Sequence, residues 1–284
     1  MASSPSSYHK VAVVTGSSTG IGYETSLILA RNGFLTYATM RNLDKSKNIK
    51  SIATKENLPI QIKQLDVTED VSVTNAIQAI SSEAGRIDVL VNNAGYALTG
   101  ALEDLSMEEM KNQYETNVFG LIRTSQAVLP IMRRQKSGTI VNISSGAGRF
   151  GLPGASAYVS TKFAVEGLSE SMSYELEPFG IKVVIVEPGV IRTNFVSGLV
   201  VAKKSQDPNS PHFQMVQKMA TSFEEMIKNG PSPEIVAKVV LNAVTNENPN
   251  LRYLAGKDIE TGLDDKTNMS DEEFYKMMKQ NLMM

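Results

Sequence analysis

The chain has 284 residues, 42% hydrophobic and 20% charged, with a formal charge of −2 and no cysteine. That composition supplies material for a large globular core, excludes disulfides and thiolate metal sites, and without a long basic run argues against a nucleic-acid partner. His9 and His212 lie far apart and suit solvated positions, so no metal site is expected. Residues 1–9 are rich in serine and read as a flexible tail, not a signal peptide. No apolar run approaches the roughly 18 residues of a membrane span, so no integral membrane segment is expected and the expected location is the cytoplasm.

From Lys10 onward, short β-branched runs alternate with longer helical patterns, which is the signature of a parallel sheet with crossover helices. Strands are expected at 11–15, 35–39, 60–65, 89–92, 139–143, 182–187 and 252–255. The run Ile181-Lys182-Val183-Val184-Ile185-Val186 is apolar on nearly every residue and fits a central strand covered on both faces. No linker or internal repeat interrupts the rhythm. The expected fold class is therefore α/β, a single doubly wound Rossmann-type domain over residues 10–284, with a seven-stranded parallel sheet and helices on both faces.

The first strand runs into Thr15-Gly16-Ser17-Ser18-Thr19-Gly20-Ile21-Gly22 and then a helical pattern ending at Gly33. Glycines there let the backbone approach a pyrophosphate, whose charge is met by free N–H groups at the helix start. The spacing is T-G-x-x-x-G-I-G and not the common G-x-G-x-x-G. At the end of the second strand, dinucleotide sites place an acid for a free ribose 2′-hydroxyl or an arginine for a 2′-phosphate. Here Ala38-Thr39-Met40-Arg41-Asn42 has no carboxylate, and the planar, permanently charged fork of Arg41 suits a phosphate. NADP(H) is therefore expected over NAD(H).

The third strand ends in Leu65-Asp66-Val67-Thr68, where Asp66 can accept a bond from an adenine amino group with the Val67 backbone beside it, or can simply belong to a capped turn. The fourth ends in Asn92-Asn93-Ala94-Gly95, whose asparagines are expected to brace the strand and the cofactor wall. A long helical pattern follows from Ser106 to Met132, with Asn117 in its middle; a polar residue there points to a kink or a water site. The fifth strand delivers Ser144-Ser145, and 13 residues after Ser145 stands Tyr158. Tyr158 and Lys162 are four apart and share a helix face. A free tyrosine has a pKa of about 10, and a cation beside it favours the phenolate, so the pair reads as a potential proton-transfer unit.

In this order and at these spacings the motifs resemble the short-chain dehydrogenase/reductase family, in its single-domain branch. The matching stretches are T-G-x-x-x-G-I-G at 15–22, N-N-A-G at 92–95, the helical Asn117, Ser145, Y-x-x-x-K at 158–162 and P-G-x-x-x-T at 188–193. The segments 37–42 and 252–256 look like the steroid- and retinoid-type members. The resemblance implies a hydride transfer between NADP(H) and a secondary alcohol or ketone. Tyr158 is then the acid in reduction and the base in oxidation. Lys162 stabilises the phenolate and holds the nicotinamide ribose, Ser145 bonds the substrate oxygen, and Asn117 holds a water that links Lys162 to solvent. Cofactor contacts are implied at Gly16, Ser18, Thr19, Gly20, Ile21 and Gly22 in the first turn, and at Arg41, Asp66 and Val67 around the adenosine. Others are implied at Asn93, Ala94 and Gly95 on the fourth strand's loop, at Pro188 and Gly189, and at Ile191 and Thr193 for the nicotinamide amide. The glycine turn itself carries no basic residue at Ser17 or Ser18, so Arg41 bears the phosphate discrimination. Family members commonly form dimers or tetramers, and a homodimer or homotetramer is expected.

Beyond Thr193 the motifs fade. The segment 194–230 is read as a substrate loop region with Phe195, Val196, Leu199, Val200, Val201, Phe213, Met215, Met219, Phe223, Met226 and Ile227, and with Leu98, Leu102, Phe150 and Leu152 as further candidate lining. Its Met-rich, apolar character suggests a fairly bulky apolar substrate or, alternatively, packing on the body or a second subunit. Residues 257–284 form a C-terminal extension whose last stretch, from Asp271, reads as an amphipathic helix that closes the pocket, packs on another subunit or frays. An epimerase or dehydratase with a retained cofactor, or a cofactor-sensing protein without turnover, are the alternative functions.

Overall fold

The computed structural model describes residues 10–193 and 199–283. In chain order its strands are β1 (Lys10–Val14), β2 (Phe34–Met40), β3 (Ile60–Gln64), β4 (Val89–Asn92), β5 (Leu98–Thr99), β6 (Gly138–Ile143), β7 (Ile181–Pro188), β8 (Val200–Val201) and β9 (Arg252–Ala255). Seven of them form a parallel sheet in the order β3-β2-β1-β4-β6-β7-β9. All seven expected strands are present. The short parallel pair β5 and β8 lies outside that sheet and was not expected.

The helices are α1 (Gly20–Arg31), α2 (Lys47–Lys55), α3 (Asp70–Ala84), α4 (Met107–Tyr114), α5 (Gly120–Gln135), α6 (Ser156–Leu176), α7 (Phe213–Asn229), α8 (Glu234–Thr245), α9 (Lys257–Asn268) and α10 (Asp271–Met283). Alternate residues of β1 sort them onto the two faces, because side chains point to opposite sides along a strand. Val11 and Val13 pack with Val73, Ile77 and Ile80 of α3 and Val128 and Met132 of α5. Ala12 and Val14 pack with Leu29 of α1 and Val236 and Val240 of α8. Both faces are thus covered, which is why the strands read as continuous apolar runs. The fold is a doubly wound, Rossmann-type α/β sheet. Its strand order reverses between β1 and β4, and the crevice at the carboxyl ends there is where such sheets hold ligands.

The long pattern from Ser106 is not one helix. A capping box of Ser106 and Glu109 starts α4, and a π-helical turn, Glu115–Phe119, separates it from α5. Asn117 sits in that turn, so the irregularity its residue type suggested is an extra residue in the helix. The C-terminal extension is two helices, α9 and α10, where one was expected. Residues 1–9, with His9, and Phe195 and Val196 lie outside the described residues. None of the described helices is long and apolar enough to cross a membrane.

Candidate active site

The carboxyl ends of β1 to β7 open into a cavity of about 1300 Å³. That exceeds the roughly 300–1,000 Å³ of a pocket for one drug-sized ligand and suits a dinucleotide with a second molecule beside it. Its lining at one end is the first turn: Gly16, Ser18, Thr19, Gly20 and Ile21. Gly16 holds φ +70°, a left-handed conformation that glycine adopts freely. Thr19, at the helix N-cap, makes no side-chain capping bond. The first N–H groups of α1 are thereby left for an anion, as a pyrophosphate requires. Gly22 does not line the cavity, contrary to expectation; a Cβ there would lie 2.4 Å from Asn93 Nδ2 and 2.6 Å from Gly16 O. It is a glycine so that the helix can pack against the turn. Asn93 braces that turn, donating to Thr15 O at 2.9 Å and Gly16 O at 3.2 Å. Asn92 donates to Ser125 Oγ and Asn142 Oδ1, tying β4 to α5 and β6.

Arg41 and Asp66 meet at the rim, with Arg41 Nε 3.9 Å from Asp66 Oδ2 and the arginine side chain 78% exposed. Oδ1 of Asp66 accepts from the N–H and hydroxyl of Thr68, so the turn and the ligand wall are the same residue. Val67, Asn93, Ala94 and Gly95 continue the wall. Lys45 also lines this end and was missed, because it sits in a helical turn after β2 where no motif marks it.

Ser145, Tyr158 and Lys162 converge on the middle of the cavity. Ser145 stands at the end of β6, its Oγ accepting from Ala147 N at 3.2 Å, and hydrogen-bonds the Tyr158 phenol. Tyr158 and Lys162 lie one turn apart on α6, with the ammonium 5.6 Å from the ring centroid. Their electrostatics differ from the expectation of a favoured phenolate. Burial pushes the Tyr158 phenol up to about 12, with the Ser145 bond opposing, and burial pushes Lys162 down to about 8, with Glu166 opposing. Desolvation dominates both shifts, because the charged form of each group loses water. The protein's own groups therefore hold Tyr158 as a proton donor.

Lys162 Nζ donates to Ile143 O at 2.9 Å. Asn117 binds Tyr96 through both ends of its amide and donates to Thr161 Oγ1 at 3.2 Å, next to Lys162. Between Asn117 and Lys162 lies a small cavity of about 10 Å³, also lined by Thr15, Asn92 and Thr124. That is at the lower limit for a single water. Behind the lysine, Arg149 pairs with Glu187 at 2.8 Å, and Arg252 pairs with Glu166 at 3.1 Å and Glu170 at 2.7 Å. These pairs tie the serine loop, α6 and β9 to the end of β7, where Pro188, Gly189, Ile191 and Thr193 line the cavity.

The far end is apolar. Leu199 and Val200 with Met219, Phe223, Met226 and Ile227 of α7 line it, as do Leu98, Phe150 and Leu152. Leu102 does not: it is 67% exposed and points away. The pairing of β5 with β8 holds this wall to the loop after β4, a contact no local pattern announces. Phe274 of α10 is buried edge-on against Phe150, so the last helix packs on this chain's own pocket wall. His212 reaches Glu103 at 3.1 Å, and no cluster of metal-ligating groups occurs among the described residues.

A family model described as short chain dehydrogenase matches residues 10–203. An uncharacterized oxidoreductase of Bacillus subtilis, YusZ, is 39% identical over 260 residues, covering 89% of this chain and 91% of its own. Human retinol dehydrogenase 8 is 36% identical over 253 residues, covering 86% and 80%. A solved short-chain dehydrogenase from Streptomyces avermitilis matches with a TM-score of 0.80 at 32% identity, over 96% of this chain and 98% of that one. The chain belongs to the short-chain dehydrogenase family. It is accordingly an oxidoreductase of CH–OH groups.

Proposed function

We propose that the chain interconverts a ketone and a secondary alcohol on a bulky apolar substrate, using NADP(H). The observation that carries this reading is the convergence of Ser145, Tyr158 and Lys162 on a cavity with an anion-binding helix start at one end and an apolar wall at the other. The first turn and the N–H groups of α1 would hold the pyrophosphate, with Asp66 and Val67 beside the adenine. Asn93, Ala94 and Gly95 would wall the cofactor. Pro188 and Gly189 would carry the loop whose Ile191 backbone and Thr193 hold the nicotinamide amide. The bound nicotinamide supplies the hydride.

Everything else falls to the chain's own groups. Ser145 Oγ orients the substrate carbonyl against Tyr158 and stabilises the charge that grows on its oxygen. Tyr158 gives that oxygen its proton, and the alcohol forms. Lys162 binds the nicotinamide ribose and, through a water in the small cavity beside Asn117, returns a proton from solvent. In oxidation the same path runs outward. The apolar wall of α7 and β8 excludes water from the reacting carbon and receives the body of the substrate.

Purified protein should consume NADPH continuously with apolar ketones such as steroid or acyl-chain ketones, and far more slowly with small keto acids. Isomerisation without net consumption, or binding without turnover, would overturn the reading. Arg41 offers a charge-assisted bond to a 2′-phosphate, worth about 1.5–3 kcal/mol, or roughly tenfold or more in affinity. Arg41→Ala should therefore weaken NADPH binding by about that factor and leave NADH within twofold. An unchanged ratio of the two dissociation constants would remove Arg41 from cofactor selection.

A further inference from the structure

Resting on the proposed cofactor site, the geometry points to Asp258, in the first turn of α9, as a positioning residue that fastens the nicotinamide-side loop 189–191 in its binding form. The N-cap position of α9 is Gly256, which has no side chain, and Asp258 follows it in the first turn. Its Oδ2 accepts from the backbone N–H of Val190 at 2.7 Å. Oδ1 and Oδ2 lie 2.1 and 2.3 Å from where a Cβ on Gly189 would stand, so the carboxylate fills the side-chain place of that glycine. Gly189 N also donates to Ala255 O at 3.1 Å, extending the β7–β9 ladder to the start of the loop. Both ends of the fastening thus come from the stretch that begins α9.

The next residue acts on the other loop. Ile259 is 3% exposed and its Cδ1 lies 2.3 Å from the Cβ place of Gly146, the neighbour of Ser145. Two consecutive residues of α9 therefore seat the serine loop and the loop 189–191 against each other. Asp258 and Ile259 both line the main cavity. Without the carboxylate, Val190 N–H loses its acceptor and the Gly189 backbone gains room, so Ile191 no longer presents a fixed backbone to the nicotinamide amide. The adenosine end, more than a strand away in the sheet order, keeps its contacts.

The test measures dissociation constants by fluorescence quenching for two probes: the preferred intact cofactor, and its adenosine half without nicotinamide (2′,5′-ADP for NADPH, AMP for NADH). Asp258→Ala should weaken the intact cofactor about tenfold or more and leave the adenosine half within twofold, which also shows that the variant is folded. Asp258→Asn keeps an acceptor oxygen in the same place and should recover most of the loss. Intact-cofactor binding unchanged in Asp258→Ala, equal weakening of both probes, or no recovery in Asp258→Asn would overturn the assignment while leaving the cofactor reading standing. A wild-type chain that binds neither probe would overturn both.

Discussion

Tyr158→Phe should lower kcat by about 10³-fold while leaving the dissociation constant of NADPH within twofold. The residue is half-buried, and phenylalanine keeps its packing and loses only the hydroxyl that bonds Ser145. General acid catalysis by a positioned group contributes roughly 10²–10⁴-fold, which sets the expected size. Because burial holds the phenol near 12, the tyrosine remains protonated across the neutral range and is always ready to donate in reduction. Stopped-flow turnover with a steroid ketone, beside equilibrium NADPH binding, separates the two quantities. Turnover within tenfold of wild type would assign the proton to another group.

Lys162→Met should be as damaging to turnover, by at least about 100-fold, and should also change how stability responds to pH. The sign follows from the direction of the shift. Burial depresses the folded lysine from 10.5 to about 8, so between those values the unfolded chain binds more protons than the folded one and raising the pH favours folding. Below about pH 8 the folded protein carries a buried ammonium and its full penalty. At about 1.4 kcal/mol per pH unit, that penalty has a ceiling of about 3 kcal/mol. The unfolding free energy of Lys162→Met relative to wild type should therefore fall by up to about 3 kcal/mol between pH 7 and pH 10.5, as the wild type is relieved and methionine is not. Urea melts across that range measure the difference. Parallel curves for the two proteins would show that the lysine is not desolvated in the folded state.

Most of the sheet was legible because parallel strands buried on both faces leave short, β-branched apolar runs between longer helical patterns, as at 181–186. That Ser145, Tyr158 and Lys162 line one cavity was legible from the joint order of the motifs, because a Tyr and a Lys four apart are common in helices and the spacing alone says only that they share a face. The pairing of β5 with β8 was not legible: two residues a side have no periodicity, and their partners are about a hundred positions apart. Lys45 escaped because a cation in a helical turn looks the same whether it faces a ligand or water. Gly22 misled in the other direction, since a glycine that makes room for packing is identical in sequence to one that makes room for a phosphate. The balance between Tyr158 and Lys162 was out of reach for a deeper reason. Spacing reports that two charges can meet, while their pKa values depend on how much water the completed fold removes from both.

The place of α9 also sets a clock. The serine loop leaves the ribosome well before the helix that seats it, and the stretch from Ser145 to Asp258 takes on the order of ten seconds to synthesise at about 5–20 residues per second. Through that interval the cavity's apolar wall and the end of β7, whose neighbour β9 is still to come, stand uncovered. A nascent chain of this protein is thus exposed to mispairing at the open edge of β7 until β9 is made, and its two cavity loops are seated only when the first turn of α9 follows.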